Sequence, residues 1–356
     1  MKVLVARTDR LGDLVLSLPV FEDIKTRRPD WQVHAMVAPG SIPLVENDPN
    51  IDAVWTWTGS ETDDELEDLT DKLRREDFDA VVILQYRTEL ARLMKRAGIP
   101  KRYGPLSKGS SWFLLNRGSW QSRSRGHRHE MEHNLLLARR LTGGWRPWFG
   151  NRNPDFREPD LHLTSGQLEI GRTFRRDEAP GVETLVFVHP GSGGSALDWE
   201  PSRFAGVANA LARQPGWRVF ITGSAADTAT VAAVAGHLDQ GIDLLLDRFP
   251  LREFMGILSA GDLFIGPSTG PLHMAAAVGC ATVGLFPPVV TMSPERWGPR
   301  GSLSRALVPQ VACPARRICL EEKCILYNCM TGIFDDEVVE AALEVVQRKR
   351  KLEERS

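Results

Sequence analysis

Residues Asp262 to Gly279, DLFIGPSTGPLHMAAAVG, decide the fold. Asp262 to Gly266 is an apolar run of strand length, and Gly266-Pro267 stops it. Ser268, Thr269 and Gly270 then supply helix-start chemistry ahead of Pro271, a residue suited to a first helical turn. The stretch reads as strand, tight loop, helix. Such a loop leaves the first backbone N–H groups of the helix unpaired and sets the positive end of its dipole at the carboxyl edge of a parallel sheet. That is a place for phosphate or another anion. Thr269 could add a hydroxyl, and His273 could lean back over the bound group. A well-capped βα unit with a core histidine fits the same spacing equally well.

The same rhythm runs through the chain on both sides. In the first half, strand patterns at Lys2 to Arg7, Trp31 to Ala38, Asp52 to Trp57 and Phe78 to Leu84 alternate with helix patterns at Leu14 to Arg28, Glu65 to Glu76, Thr88 to Gly98 and His129 to Gly144. Between Pro105 and Arg128 the periodicity fades into a loop rich in Ser, Arg and Trp, and Pro147 to Pro159 reads as a connector. Alternation then restarts, with strands at Thr184 to His189, Arg218 to Gly223, Ile242 to Leu246 and Ala281 to Phe286. Helices are expected at Pro201 to Gln214, Asp227 to Leu238, Leu251 to Ala260 and Asp335 to about Glu354. Two α/β, Rossmann-like halves with parallel sheets follow, and ligands in such sheets sit at the carboxyl ends of the strands.

Composition is that of an ordinary globular protein: 356 residues, 42% hydrophobic, 25% charged, net charge −2, so no global field calls for nucleic acid. Local charge is uneven. Residues 46 to 79 hold 13 acidic and three basic side chains, whereas 87 to 128 hold 11 basic and one acidic. Arg7, Asp9, Arg10 and Asp13 interrupt the apolar stretch that a signal peptide would need, and a cytoplasmic location is expected. Residues 264 to 294 carry no Lys, Arg, Asp or Glu, but repeated Gly and Pro cut them into elements too short to span a membrane.

Three loops at expected carboxyl ends carry candidate chemistry. In Thr8 to Asp13, Gly12 permits a tight turn and Asp13 is either a helix N-cap or a general base. In His189 to Gly194, HPGSGG, backbone amides can approach a phosphate closely. In Gly223 to Asp227, the carboxylate of Asp227 caps its helix or accepts hydrogen bonds from a ribose.

The segments KVLVARTDRLGDLVLSLPV, HPGSGG with Trp199 and Arg203-Phe204 after it, and GPSTGPLHMAAAVGCATVGLFPP together resemble glycosyltransferase family 9, the ADP-heptose:lipopolysaccharide heptosyltransferases, over roughly residues 1 to 345. The resemblance implies a GT-B fold of two Rossmann-like domains facing across a cleft. The acceptor domain would be residues 1–160 and the nucleotide-sugar donor domain 161–335, with a terminal helix, 336–356, that can cross back to the first. It implies that Asp13 is the catalytic base, that Asp227 binds the donor ribose, and that Ser268, Thr269, Gly270 and His273 hold the diphosphate beside His189, Gly191 and Ser192. Arg10, Gly12, Arg87, Arg123, Arg125 and Arg128 would meet the acceptor, a phosphorylated lipopolysaccharide core. Lys101, Arg102 and Arg117 would lie nearer the inner membrane surface. The expected reaction is inverting and uses neither metal nor other cofactor. Many members carry Asp at the position of Ser268 and Lys at that of Leu197, so a family 9 transferase using another nucleotide sugar is the alternative.

A nucleotide-sugar epimerase or a non-catalytic nucleotide-sugar binding protein would keep the same donor turn. Neither needs Asp13 or the basic run. Cys313, Cys319, Cys324 and Cys329 fall within 17 residues at spacings x5, x4 and x4, without the paired C-x-x-C of a firm zinc motif. Reduced, packed thiols are expected there, with structural zinc or an iron–sulfur cluster as the alternative.

Overall fold

The computed structural model describes residues 1–126, 128–143, 157–194, 196–315, 318–320, 323–326 and 328–355; most of the connector expected at Pro147 to Pro159 lies outside them. Two compact units result, one of Met1–Arg123 with Arg128–His162, the other of Ser124–His127 with Leu163–Ser356.

In the first unit the order is β1 (Lys2–Arg7), α1 (Leu11–Val15), α2 (Leu18–Arg27), β2 (Gln32–Val37), β3 (Ala53–Thr56), α3 (Asp63–Glu76), β4 (Ala80–Ile83), α4 (Thr88–Arg96), β5 (Lys101–Pro105), α5 (Ser111–Leu114), β6 (Arg117–Ser119) and α6 (Glu130–Thr142). Its six strands run parallel in the order β3-β2-β1-β4-β5-β6. Val3, Leu4, Val5 and Ala6 of the central β1 are fully buried, as expected of a strand covered on both faces. α3 shows how local sequence sets a boundary. Thr62 and Glu65 form a reciprocal capping box at its start, and Asp77 closes it in the left-handed conformation.

The second unit repeats the plan with α7 (Ser165–Glu178), β7 (Thr184–Val188), α8 (Pro201–Ala212), β8 (Trp217–Gly223), α9 (Thr228–Ala235), β9 (Asp243–Leu246), α10 (Leu251–Ser259), β10 (Leu263–Pro267), α11 (Gly270–Ala277), β11 (Ala281–Leu285), α12 (Pro294–Trp297), β12 (Ser304–Leu307) and α13 (Asp335–Glu353). Strand order is β12-β11-β10-β7-β8-β9, again all parallel. α13, the terminal helix, buries Val338, Ala341, Ala342, Val345 and Val346 in the core of this unit, alongside Phe204, Leu211 and Val283. In both sheets the order reverses between the first and fourth strands, and this is where doubly wound sheets open a crevice.

Several features depart from the expected pattern, among them β5, α5, α12 and β12, which the sequence expectations do not contain. The single helix expected over Leu14 to Arg28 is two helices, because Pro19 has no amide to give the Val15 carbonyl. The loop expected from Pro105 contains β6, whose Arg-Gly-Ser sequence has no apolar signature. Its closeness to β5 requires glycine: a Cβ on Gly118, which sits at φ +140°, would lie 2.0 Å from the Gly104 carbonyl oxygen. α7, started by a Thr164–Gln167 capping box, has no counterpart in the sequence expectations.

α7 and α10 pack backbone to backbone. A Cβ on Gly171 would lie 2.2 Å from the Gly256 carbonyl oxygen, and one on Gly256 would lie 2.2 Å from that of Gln167. Helix propensity favours alanine over glycine by about 1 kcal/mol, while forcing backbones apart in a packed contact costs about 1–3 kcal/mol. Gly256→Ala is therefore expected to lower the urea midpoint; a raised midpoint would show that the helices separate freely.

Candidate active site

At the carboxyl end of β1 the chain turns through Thr8 to Arg10 into α1, and Asp13 sits in its first turn. Arg10 occupies the N-cap position and Asp13 makes no cap there, so the capping role open to Asp13 in the sequence is not the one it takes. Its Oδ1 accepts a 2.6 Å hydrogen bond from Nη2 of Arg7. Arg7, at the end of β1, is 2% exposed and shares its guanidinium among three carboxylates. Nε donates to Asp9 Oδ1 at 2.7 Å and Nη1 to Glu130 Oε1 at 3.1 Å. Burial works against the charge on Arg7, and the three carboxylates outweigh it and raise its pKa. Burial pushes the Asp13 carboxyl up to about 6, with Asp9 and Glu130 adding to the rise and Arg7 and Arg10 opposing it. A carboxylate with its midpoint near neutrality is suited to general-base work.

Arg10 and Arg87 are exposed residues of the loops that follow β1 and β4, the two strands at the order reversal. Arg87 holds its guanidinium 5.8 Å from the Trp57 ring centroid. Gly12 is buried in α1. Arg123 is committed inward, donating to Leu84 O and Gln121 Oε1, both at 2.8 Å, and pairing closely with Glu130. Arg125 is exposed, and Arg128 lies 3.9 Å from Glu132. Arg102 donates to the carbonyls of Ile99 and Leu114, which ties β5 to its neighbours, whereas Lys101 and Arg117 are exposed. Sequence reading missed Arg7, Glu130 and Asn134. Only a long-range fold places residues 123 and 127 positions apart on one guanidinium.

In the second unit the loops after β7, β8 and β10 gather the candidate donor residues. His189 follows β7, donates its amide to Ile265 O at 2.8 Å, and places Nδ1 3.0 Å from Thr222 Oγ1. Burial lowers its pKa to about 4 against the opposing pull of Asp227, so the ring is neutral at physiological pH. Asp227 Oδ2 accepts from Ser224 N at 2.9 Å and Ser224 Oγ at 2.7 Å. Gly191 rests directly on that carboxylate, and the Ser192 hydroxyl accepts the Gly194 amide at 3.2 Å. Thr269 is the N-cap of α11 in extended conformation, but its hydroxyl points to Pro267 O at 3.3 Å and caps no helix amide. His273, in the first turn of α11, is buried. Ser268 and Gly270 flank Thr269 in the turn from β10 to α11, at the order reversal of this sheet.

Leu197, where many family members have lysine, packs against the core and lines a cavity of about 290 Å³ together with Cys313, Cys319, Cys324 and Cys329. The cysteines form no disulfide, and no three His, Cys, Asp or Glu among the described residues are arranged to hold a metal. Burial raises the pKa of the Cys329 thiol, with the other three adding to it.

Two doubly wound parallel units are the architecture of the GT-B fold. The sequence profile of glycosyltransferase family 9 (heptosyltransferase) matches residues 67–326, and the chain belongs to that family. A Haemophilus influenzae protein, itself only provisionally named a glycosyltransferase, is 28% identical over 84% of this chain and 86% of its own length. Lipopolysaccharide heptosyltransferase 3 of Escherichia coli is 27% identical over 77% of this chain and 79% of its own. The solved structure of E. coli ADP-heptose lps heptosyltransferase II superposes with a TM-score of 0.79 at 19% identity, covering 98% of this chain and all of that one.

A Cβ at position 191 would lie 2.1 Å from Asp227 Oδ1. Gly191→Ala must displace either the loop or the carboxylate; on the reading that this loop holds a donor nucleotide, it should weaken ADP binding by about tenfold or more in titration calorimetry, equivalent to about 1.4 kcal/mol. Unchanged affinity would remove this loop from the nucleotide site.

Proposed function

We propose that the enzyme transfers a heptosyl residue from ADP-heptose to the inner core of lipopolysaccharide, with inversion and without a metal. The observation that carries this reading is Asp13: a largely buried carboxylate at the carboxyl end of β1, held by Arg7, with its midpoint raised to about 6. In the reaction Asp13 takes the proton of an acceptor hydroxyl as that oxygen forms a bond to the anomeric carbon. The bond from the anomeric carbon to the donor phosphate breaks with its electron pair going to ADP. One such base contributes about 100- to 10,000-fold in rate.

Developing charge on the leaving diphosphate falls to the first-turn amides of α11. Thr269 leaves these without a side-chain cap, and the Ser268 and Thr269 hydroxyls and His273 lie in the same turn. Asp227, with Gly191 beside it, takes the donor ribose. Arg10, Arg87, Arg125 and Arg128 meet anionic groups of the acceptor core. The ADP-heptose assignment draws on the E. coli enzyme whose name carries that donor and on the lipopolysaccharide heptosyltransferase among the relatives.

Among the described residues no helix is long and apolar enough to cross a membrane. Exposed Trp112, Phe113 and Trp120, near exposed Lys101 and Arg117 in sequence, support peripheral contact with the anionic inner leaflet.

The test is turnover with ADP-heptose and truncated core acceptors in EDTA, beside a panel of UDP and GDP sugars. Transfer from ADP-heptose should survive EDTA and fall by at least about 100-fold in Asp13→Asn. Because only ionised Asp13 accepts a proton, kcat/KM should rise with pH up to a midpoint near 6 and level off above it. Activity confined to another nucleotide sugar would overturn the heptose assignment. Binding without turnover on any acceptor would overturn the catalytic one.

A further inference from the structure

α6 opens with a carboxylate that the reaction as described does not use. Glu130 is 1% exposed, lies in the first turn of α6, and faces two arginines from different parts of the first unit. Its Oε1 accepts from Nη1 of Arg7 at 3.1 Å and pairs closely with Nη1 of Arg123. One turn on, Asn134 completes the arrangement. Its Oδ1 lies 3.4 Å from Arg7 Nη1 and 3.2 Å from Arg123 Nη2, and its Nδ2 donates to Ser17 Oγ at 3.0 Å. Ser17 in turn donates its hydroxyl to the backbone carbonyl of Asp13 at 2.7 Å. α6 thus grips the Asp13 turn twice, through Arg7 on the side chain and through Asn134 and Ser17 on the backbone.

A buried charge cluster of this kind is a poor device for stability, since well-packed apolar residues of similar volume often do as well or better. Its geometry serves the base instead. An arginine hydrogen-bonded to Asp13 alone would hold that carboxylate strongly ionised and make it a weak proton acceptor. Arg7 is not spent on Asp13 alone, because Asp9 and Glu130 take its other N–H groups. The charged groups acting on Asp13 are Arg7, Asp9, Glu130 and Arg10, with Arg123 behind Glu130. At the N-cap of α6, His129 uses Nδ1 to accept the Met131 amide.

We propose that Glu130 is a positioning residue for the transfer reaction: by holding Arg7 and Arg123 on one carboxylate, it divides the charge of Arg7 and keeps Asp13 an effective proton acceptor. This rests on Asp13 being the general base. Two substitutions then act in opposite directions. Glu130→Gln keeps the size and an acceptor oxygen but removes the negative charge, so Asp13 should become more acidic. Arg123→Gln removes the cation behind Glu130, so Asp13 should become less acidic. A role in folding alone gives no such opposition.

The experiment is a pH titration of the full-length protein labelled with carboxyl-13C aspartate, the Asp13 resonance being assigned by its loss in Asp13→Asn, beside kcat/KM against pH with ADP-heptose and core acceptor. Expected is a downward move of both the Asp13 midpoint and the acid limb by about one pH unit in Glu130→Gln, an upward move in Arg123→Gln, and values near wild type in Glu130→Asp. The KM for the donor should stay within about twofold, because the cluster lies wholly in the unit that holds Asp13. If both opposing variants leave the midpoint at its wild-type position, the inference fails, and the titration decides this whatever the donor sugar. If Asp13→Asn retains activity, it is the general-base reading that fails. Should Glu130→Gln not fold, the direction of the Arg123→Gln shift alone decides.

Discussion

Parallel pairing with one reversal of strand order is the constraint from which the rest of this structure follows. In each unit the first and fourth strands are neighbours, β1 beside β4 and β7 beside β10, so the connections leaving their carboxyl ends diverge to opposite faces of the sheet. The backbone there is free of ladder pairing, and helices begin there with amides that have no partner in their own helix. Asp13, Arg10 and Arg87 stand at one such edge, and His189, Ser268, Thr269 and Gly270 at the other. The chemistry lies in loops, but the sheets fix where those loops start.

Within that frame the two edges are tuned differently. The first is ionic: burial, together with an arginine shared among three carboxylates, sets the proton affinity of Asp13. The second carries few charged groups. His189 is kept neutral by burial, Asp227 is satisfied by Ser224, and the remaining groups are hydroxyls, glycines and helix amides. A doubly charged diphosphate is better received by oriented dipoles than by fixed cations when it must also leave, since amides stabilise charge without forming tight ion pairs. The proposed division of labour, proton transfer on one unit and leaving-group stabilisation on the other, matches this difference.

The basic segment between residues 87 and 128 shows how one sequence feature separates into several physical roles. Arg102 ties strand ends together through carbonyls, and Arg123 belongs to the buried cluster under Asp13. Arg87 and Arg125 remain exposed, as do Lys101 and Arg117. Charge density alone cannot sort these, because burial depends on which strand a residue follows and what packs over it. Trp112 and Phe113 beside them are 62% and 79% exposed.

The sequence by itself determined the α/β class, the alternation of most elements and the strand-turn-helix at Asp262 to Gly279. These depend on local chemistry: apolar runs, capping residues and Gly-Pro punctuation act over a few positions. It also pointed to Asp13, His189, Gly191 and Asp227 through their place at strand ends. The split of the first helix pattern was legible locally, in Pro19. Left to the tertiary structure was β6, whose Arg-Gly-Ser is a strand only because Gly118 can lie on Gly104. So too was the environment of Asp13. Arg7, Glu130, Asn134 and Arg123 meet because β1, α6 and the segment before α6 are brought together across more than a hundred residues, and the proton affinity of a carboxylate is set by the neighbours and the burial that only folding supplies.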